Sequence, residues 1–179
     1  MGIFILPKGD GMMPGVAVNG STIAESIKPD HVSYDVYEWR QIGGGYCREY
    51  DPETGECIDY APPIYDWVYS RTETRGARIT GTVVASSKMK IGGVSVATVG
   101  DRTNETWEAY PPVPDDTPTT KIRNIRPGRS GSGQGTITSG SSKMKLDGKA
   151  VALIGSEVTT HLGTTTTINS GNTKINVQS

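Results

Sequence analysis

The sequence predicts an all-β protein built from short hairpins, on three observations. Of 179 residues, 23 are glycine and 11 proline while only 34% are hydrophobic, which is too much turn-former and too little apolar content for a helical bundle or a doubly wound α/β fold. Apolar and polar residues alternate in Lys88-Met89-Lys90-Ile91, Lys143-Met144-Lys145-Leu146 and Lys174-Ile175-Asn176-Val177, so the apolar set lies on one strand face and most of the lysines on the other. These runs fall in three similar segments, 82–91, 137–146 and 168–177, each entered through a Ser/Gly-rich turn. Units that repeat in this way pack together around a shared core, because none buries its apolar face alone.

In chain order, the sequence divides as a single domain, 1–179, with repeats near 8–24, 79–103 and 135–177 and two insertions between them. The first insertion, 25–78, holds most of the aromatic residues, from Tyr34 and Trp39 to Trp67 and Tyr69. The period-two run Val32, Tyr34, Val36 predicts short strands there. Within it, Asp51-Pro52-Glu53-Thr54-Gly55-Glu56 predicts a hairpin turn, with proline preset for its second position and Gly55 at positive φ. After that turn, residues 79–103 form the second repeat: Gly92-Gly93 lies between Ile91 and Val94 and marks a tight hairpin turn. Asp147-Gly148 does the same in the third. The second insertion, 103–134, carries Pro111, Pro112, Pro114 and Pro118, then Lys121, Arg123, Arg126 and Arg129, and ends in Gly131-Ser132-Gly133-Gln134. It predicts an extended, solvated loop with a flexible connection at its end.

The hairpin register decides the chemistry of the two cysteines. With Gly55 as a bulge, Tyr50 pairs with Cys57 and leaves Cys47 on the opposite face, which disfavours a bridge. A symmetric register instead sets Cys47 opposite Cys57 and permits one. The bulged register is favoured, and with it free thiols. Their ten-residue spacing is not that of a zinc knuckle.

Charge and motifs exclude several functions. With 18 basic and 19 acidic residues the net charge is −1, so no overall field draws the chain to nucleic acid. No G-x-S-x-G elbow or H-E-x-x-H pair is present, and the glycine clusters at 43–45 and 131–135 lack the Lys-Ser/Thr ending of a phosphate loop and read as turns. Asp115-Asp116 reads as a solvated pair rather than a tuned acid and base. No enzyme is expected.

The repeats resemble the PAAR-repeat proteins, which form the pointed tips of contractile phage tails and type VI-like secretion spikes. The likeness rests on Gly9-Asp10 with Asn19-Gly20-Ser21, on 86–101, which closes in Gly100-Asp101, and on 141–156, which closes in Gly155-Ser156. It covers about half the chain. The name-giving Pro-Ala-Ala-Arg is absent, and only Ala97 and Ala152 supply a small residue at its place.

The resemblance implies a small conical fold of repeated hairpins. It also implies one structural metal ion, zinc or iron, for which His161, Cys47, Cys57 and His31 are the candidate ligands. Met89, Ile91, Met144, Leu146, Ile175 and Val177 would form the narrow core. The implied function is structural: a monomer caps a trimeric spike or hub protein of the baseplate and helps it pierce the target cell envelope. Such a protein would be made in the bacterial cytoplasm and assembled at the spike apex of a virion or injection particle. The alternative is a trimeric β-fibre or adhesin segment that binds a cell-surface glycan through the aromatic residues at 34–69.

Overall fold

A computed structural model describes residues 14–176, the last two by their backbone alone. Among these residues every regular element is a strand. In chain order they are β1 (Gly15–Val16), β2 (Ser26–Gly43), β3 (Tyr46–Tyr50), β4 (Cys57–Ala61), β5 (Ile64–Val84), β6 (Lys90–Ile91), β7 (Val94–Ser95), β8 (Arg102–Tyr110), β9 (Thr120–Arg126), β10 (Ser130–Ile137), β11 (Lys145–Leu146), β12 (Lys149–Ala150), β13 (Glu157–Thr159), β14 (Thr165–Thr167) and β15 (Asn172–Asn176). The protein is all-β, as its composition predicts.

The chain forms two compact units. One comprises residues up to Lys28, Arg78–Glu108 and Ser130 onward, and the other Pro29–Ala77 with Ala109–Arg129. The segments expected as insertions therefore supply a unit of their own.

In the first unit, both expected hairpins are present. β6 pairs with β7 across Gly92-Gly93, and β11 with β12 across Asp147-Gly148. All four turn residues have positive φ, as a two-residue type I′ turn requires. The lysines at 88, 90, 143, 145 and 149 are exposed. Beneath them Ile91 is buried with Val16, Val96, Val151 and Leu153, and Met89, Met144 and Leu146 pack against that cluster. The side chain of Ile175, all of Val177, and the opening Gly9-Asp10 lie outside the described residues.

The repeats close on one another through a ring of backbone hydrogen bonds. Ala17 N donates to Ala152 O, Ala152 N to Ala97 O, and Ala97 N to Ala17 O, each at 2.9 Å. A second ring runs outside it, from Asn19 N to Ser95 O, Val99 N to Ala150 O, and Ile154 N to Gly15 O. A third set joins Gly20, Gly100 and Gly155 to the carbonyls of Val83, Ile137 and Ile168, and each of these residues donates back, to Ser21, Asp101 and Ser156 in turn. Three unlike stretches of one chain thus make the same hydrogen bonds in cyclic order.

Side-chain alternation around the rings produces two core layers. Val16, Val96 and Val151 face the hairpin layer, while Ala17, Ala97 and Ala152 enter a second cluster with Val83, Ile137 and Ile168. A small side chain suits positions where three strands meet, and all three alanines are fully buried. In the strand that leads into each hairpin the structure corrects the repeat alignment by one residue, since Val83, and not Thr82, is the counterpart of Ile137, while Met89 and Met144 remain equivalent as expected.

Each repeat leaves the ring through the same turn. In Val18–Ser21, Thr98–Asp101 and Leu153–Ser156 the third residue is glycine, at φ 86°, 95° and 95°. The fourth residue returns a side-chain oxygen to the first residue's N–H, from Ser21 at 2.9 Å, Asp101 at 2.9 Å and Ser156 at 2.8 Å. Because serine does this work at two of the three positions, Asp101→Ser should leave stability unchanged within about 0.5 kcal/mol, whereas Asp101→Ala should cost roughly 1 kcal/mol. Urea denaturation of the two variants checks this.

The expected flexible connection at 131–134 is instead the middle of β10, paired with β8 from Ser130↔Glu108 to Thr136↔Arg102. Its alternate glycines serve as a floor. A Cβ on Gly131 would lie 2.5 Å from Trp107 Nε1, one on Gly133 would overlap the His161 ring, and one on Gly135 would overlap the Glu105 carboxylate. Glycine is needed here because bulky side chains lie flat on the strand.

In the second unit, Val32, Tyr34 and Val36 of β2 are buried as their alternation predicts, and β9 pairs with β2 through Val36↔Ile122 and Tyr37↔Lys121. The expected solvated loop therefore contains a strand. Its arginines are held: Arg123 by Asp116 at 2.8 Å, Arg126 by Asp35 at 3.5 Å, and Arg129 by Asp115 at 3.8 Å.

The predicted turn at Asp51–Glu56 is present, with Gly55 at φ 73° and Tyr50 opposite Cys57. The free-thiol expectation is nevertheless overturned. Cys47 and Cys57 form a disulfide, with their Cα atoms 5.8 Å apart. The register next to the turn is the expected one, but two irregularities lie beyond it, at Cys47/Glu49 and Glu49/Tyr50. Bulges of this kind bend the strand and re-aim its side chains, which brings the two sulfurs together despite the unfavourable nominal register.

Candidate functional site

Three features carry chemistry: the repeat ring with its hairpin edges, a buried carboxylate beside a histidine, and an exposed aromatic face on the second unit. The hairpins β6–β7 and β11–β12 are two-stranded sheets; β7 and β12 also accept ring hydrogen bonds at Ser95 O and Ala150 O, so the edges turned away from the ring are those of β6 and β11. They hold equivalent places in two repeats. β15 stands beside β1 in the third.

On β8 the inward positions are Thr103, Glu105, Trp107 and Ala109, all buried. Glu105 is thus a carboxylate on a core face, with its side chain fully buried. It is satisfied locally. Thr103 Oγ1 donates to Oε1 at 2.7 Å, His161 N donates to Oε2 at 2.8 Å, and His161 Nδ1 lies 2.5 Å from the same oxygen. Gly135 N completes the chain by donating to Thr103 Oγ1. The histidine ring then rests on Gly133. Sequence reading found His161 but not Glu105, although the alternation through 103–109 puts Glu105 on the same face as Trp107.

The candidate metal ligands are not brought together as a donor set. Cys47 and Cys57 are bonded to each other, and the Nδ1 of His161 is held by Glu105. Among the described residues no cluster of three or more His, Cys, Asp and Glu side chains occurs. His31 is half-buried on β2. A structural metal usually takes four N or S ligands, and these residues do not offer them.

On the second unit, Tyr37 and Trp39 of β2 and Tyr65, Trp67 and Tyr69 of β5 form one aromatic face. Trp39 lies nearly parallel to Tyr65, with ring centroids 6.1 Å apart and planes at 13°, and 5.3 Å from Trp67. Tyr37 meets Tyr69 edge to face at 5.8 Å. The ammonium of Lys121 sits 4.2 Å above the Trp67 ring.

The other face of this sheet is held by ion pairs. Tyr34 donates to Glu73 Oε2 at 2.6 Å, Arg71 bridges Glu73 and Glu38, and Arg40 also pairs with Glu38. Burial, then the Glu73 hydrogen bond, push the Tyr34 phenol up to about 12. The Tyr34 bond and Arg71 lower the pKa of Glu73, and the Arg40 bond lowers that of Glu38. Asp35 is lowered by Thr72 and Asn124. Asp116, read from the sequence as merely solvated, is lowered by the Ile122 N–H and by Arg123.

These shifts predict a bounded pH range for the second unit. The carboxylates titrate lower in the folded state, so their contribution is present above the unfolded value near ~4 and is lost as pH falls through the folded values. Tyr34 titrates higher when folded, so its contribution holds below about 10 and is lost as pH rises toward 12. Thermal melts followed by tryptophan emission should show a plateau between these limits and a fall on both sides.

No family model, curated protein or solved structure matches this chain.

Proposed function

We propose that this protein is a spike tip, a single chain that caps a trimeric β-helical spike of a contractile tail or injection machine and narrows it to a point. The observation that carries the reading is the cyclic ring Ala17, Ala152, Ala97 with the two sets of backbone hydrogen bonds around it. One chain that carries three equivalent strands and turns offers three similar surfaces to three identical partner chains. This resolves the mismatch between a monomer and a trimer. The outer edges of β6 and β11, on the side of each hairpin away from the ring, support it, because a strand-ended partner can continue a sheet only at an edge. The two alanines at the place of the family's missing Pro-Ala-Ala-Arg, Ala97 and Ala152, are both ring members, and Ala17 is the third.

The proposed role is mechanical. Rings closed by backbone hydrogen bonds, two apolar layers and a lysine-covered exterior suit a small rigid body that passes through an aqueous boundary under load. No reaction is assigned to it.

The native mass of the purified chain tests the reading against a self-trimerising β-fibre. A spike tip completes its threefold arrangement within one chain and is expected at 19.1 kDa. A fibre segment would require three copies, and a homotrimer would overturn the proposal.

A further inference from the structure

We propose that the aromatic face of the second unit is a binding site for an acidic oligosaccharide. The inference is independent of the capping role, since it rests on residues outside the repeat ring.

The first argument is the ring geometry. Trp39 and Tyr65 are 43% and 46% exposed and stacked on one another, with Trp67 tilted against Trp39, so the outer face and edges of the stack meet solvent. Exposed indole and phenol rings offer an apolar surface at little side-chain entropy cost. The C–H face of a pyranose presents the matching surface, with its hydroxyls turned outward.

The second argument is the polar surround. Thr72 Oγ1 donates to Asp35 Oδ1 at 2.7 Å, Asn124 Nδ2 donates to Asp35 Oδ2 at 2.8 Å, and the Tyr69 hydroxyl lies 2.9 Å from Thr72 Oγ1. This chain of hydroxyl, carboxylate and amide groups borders the rings and can exchange hydrogen bonds with sugar hydroxyls. The exposed aliphatic residues Ile42 and Ile64 alternate with the rings along β2 and β5, so they occupy the opposite face. A protein-docking surface would be expected to mix them with the rings.

The third argument sets the charge of the ligand. Lys121 lies over Trp67 and makes no salt bridge among the described residues, acting on Asp116 only at longer range, while its neighbours Arg123 and Arg126 are paired directly with Asp116 and Asp35. One available cation beside a stacking surface matches a sugar carboxylate. A single-stranded nucleic acid would need a track of cations along its phosphates, which this face lacks.

Electrophoresis of the whole protein through native gels containing polygalacturonate, alginate, dextran or single-stranded DNA tests the proposal. Retardation is expected in the two acidic polysaccharides, little in dextran and none with DNA. Trp39→Ala and Tyr65→Ala should each weaken binding about fivefold to tenfold. Lys121→Gln should abolish the preference for acidic polymers and its dependence on salt. Tyr50→Ala, on the exposed disulfide hairpin, should change nothing. Since Lys121→Gln removes no ring, it remains informative if a ring variant fails to fold. Absence of retardation in both acidic gels, retardation only by DNA, or equal binding by wild type, Tyr65→Ala and Lys121→Gln would each overturn the proposal.

Discussion

Replacing Glu105 by alanine is expected to destabilise the repeat unit by about 3 kcal/mol or more, because it leaves several buried donors without their acceptor, each at roughly 1–3 kcal/mol. The carboxylate has no solvent exposure and receives hydrogen bonds from Thr103 Oγ1 and the His161 N–H, with His161 Nδ1 beside it. Its loss strands these groups in the core and opens a cavity above Gly135. Glu105→Gln keeps an acceptor near His161 and should lose less, roughly 1–3 kcal/mol. Urea denaturation of both variants, followed by the buried Trp107, measures the difference. Equal and small losses would mean that the pair is not structurally important.

Ile137→Ala and Ile168→Ala are each expected to cost about 2–5 kcal/mol. Both side chains are essentially fully buried in the layer beneath the alanine ring. The sharper expectation is that the two losses agree within ~1 kcal/mol, because truncation costs depend on how far a site can relax and the two residues make equivalent backbone bonds, Ile137 with Gly100 and Asp101 and Ile168 with Gly155 and Ser156. Strongly unequal losses would show that the repeats share a hydrogen-bond pattern without sharing a packing environment.

Much of the fold is legible in the sequence where a pattern has one physical solution. The Lys-Met-Lys alternation with Gly-Gly or Asp-Gly after it can form only a tight hairpin, and Val32, Tyr34 and Val36 point to one face. Other features depend on partners distant in sequence. Gly131, Gly133 and Gly135 look like a linker until Trp107, His161 and Glu105 are seen lying on them. The disulfide turns on local bulges beyond a correctly read turn, which no residue between 47 and 57 announces.

The functional residues divide in the same way. The ring alanines were visible only as two small residues in a degenerate motif, and Ala17 could not be tied to them without the hydrogen bonds that close the cycle. His161 stands out as one of two histidines, yet its partner is a glutamate 56 positions earlier. The aromatic residues were plain in composition. Their alignment on a single face requires the pairing of β2 with β5.

The measurement that tests the central claim most directly is the native mass of this chain assembled with the trimeric spike of its own particle. Three equivalent repeats in one chain predict one copy per three spike chains. Three copies per spike trimer, or a correctly folded chain that leaves the spike uncapped, would contradict the account.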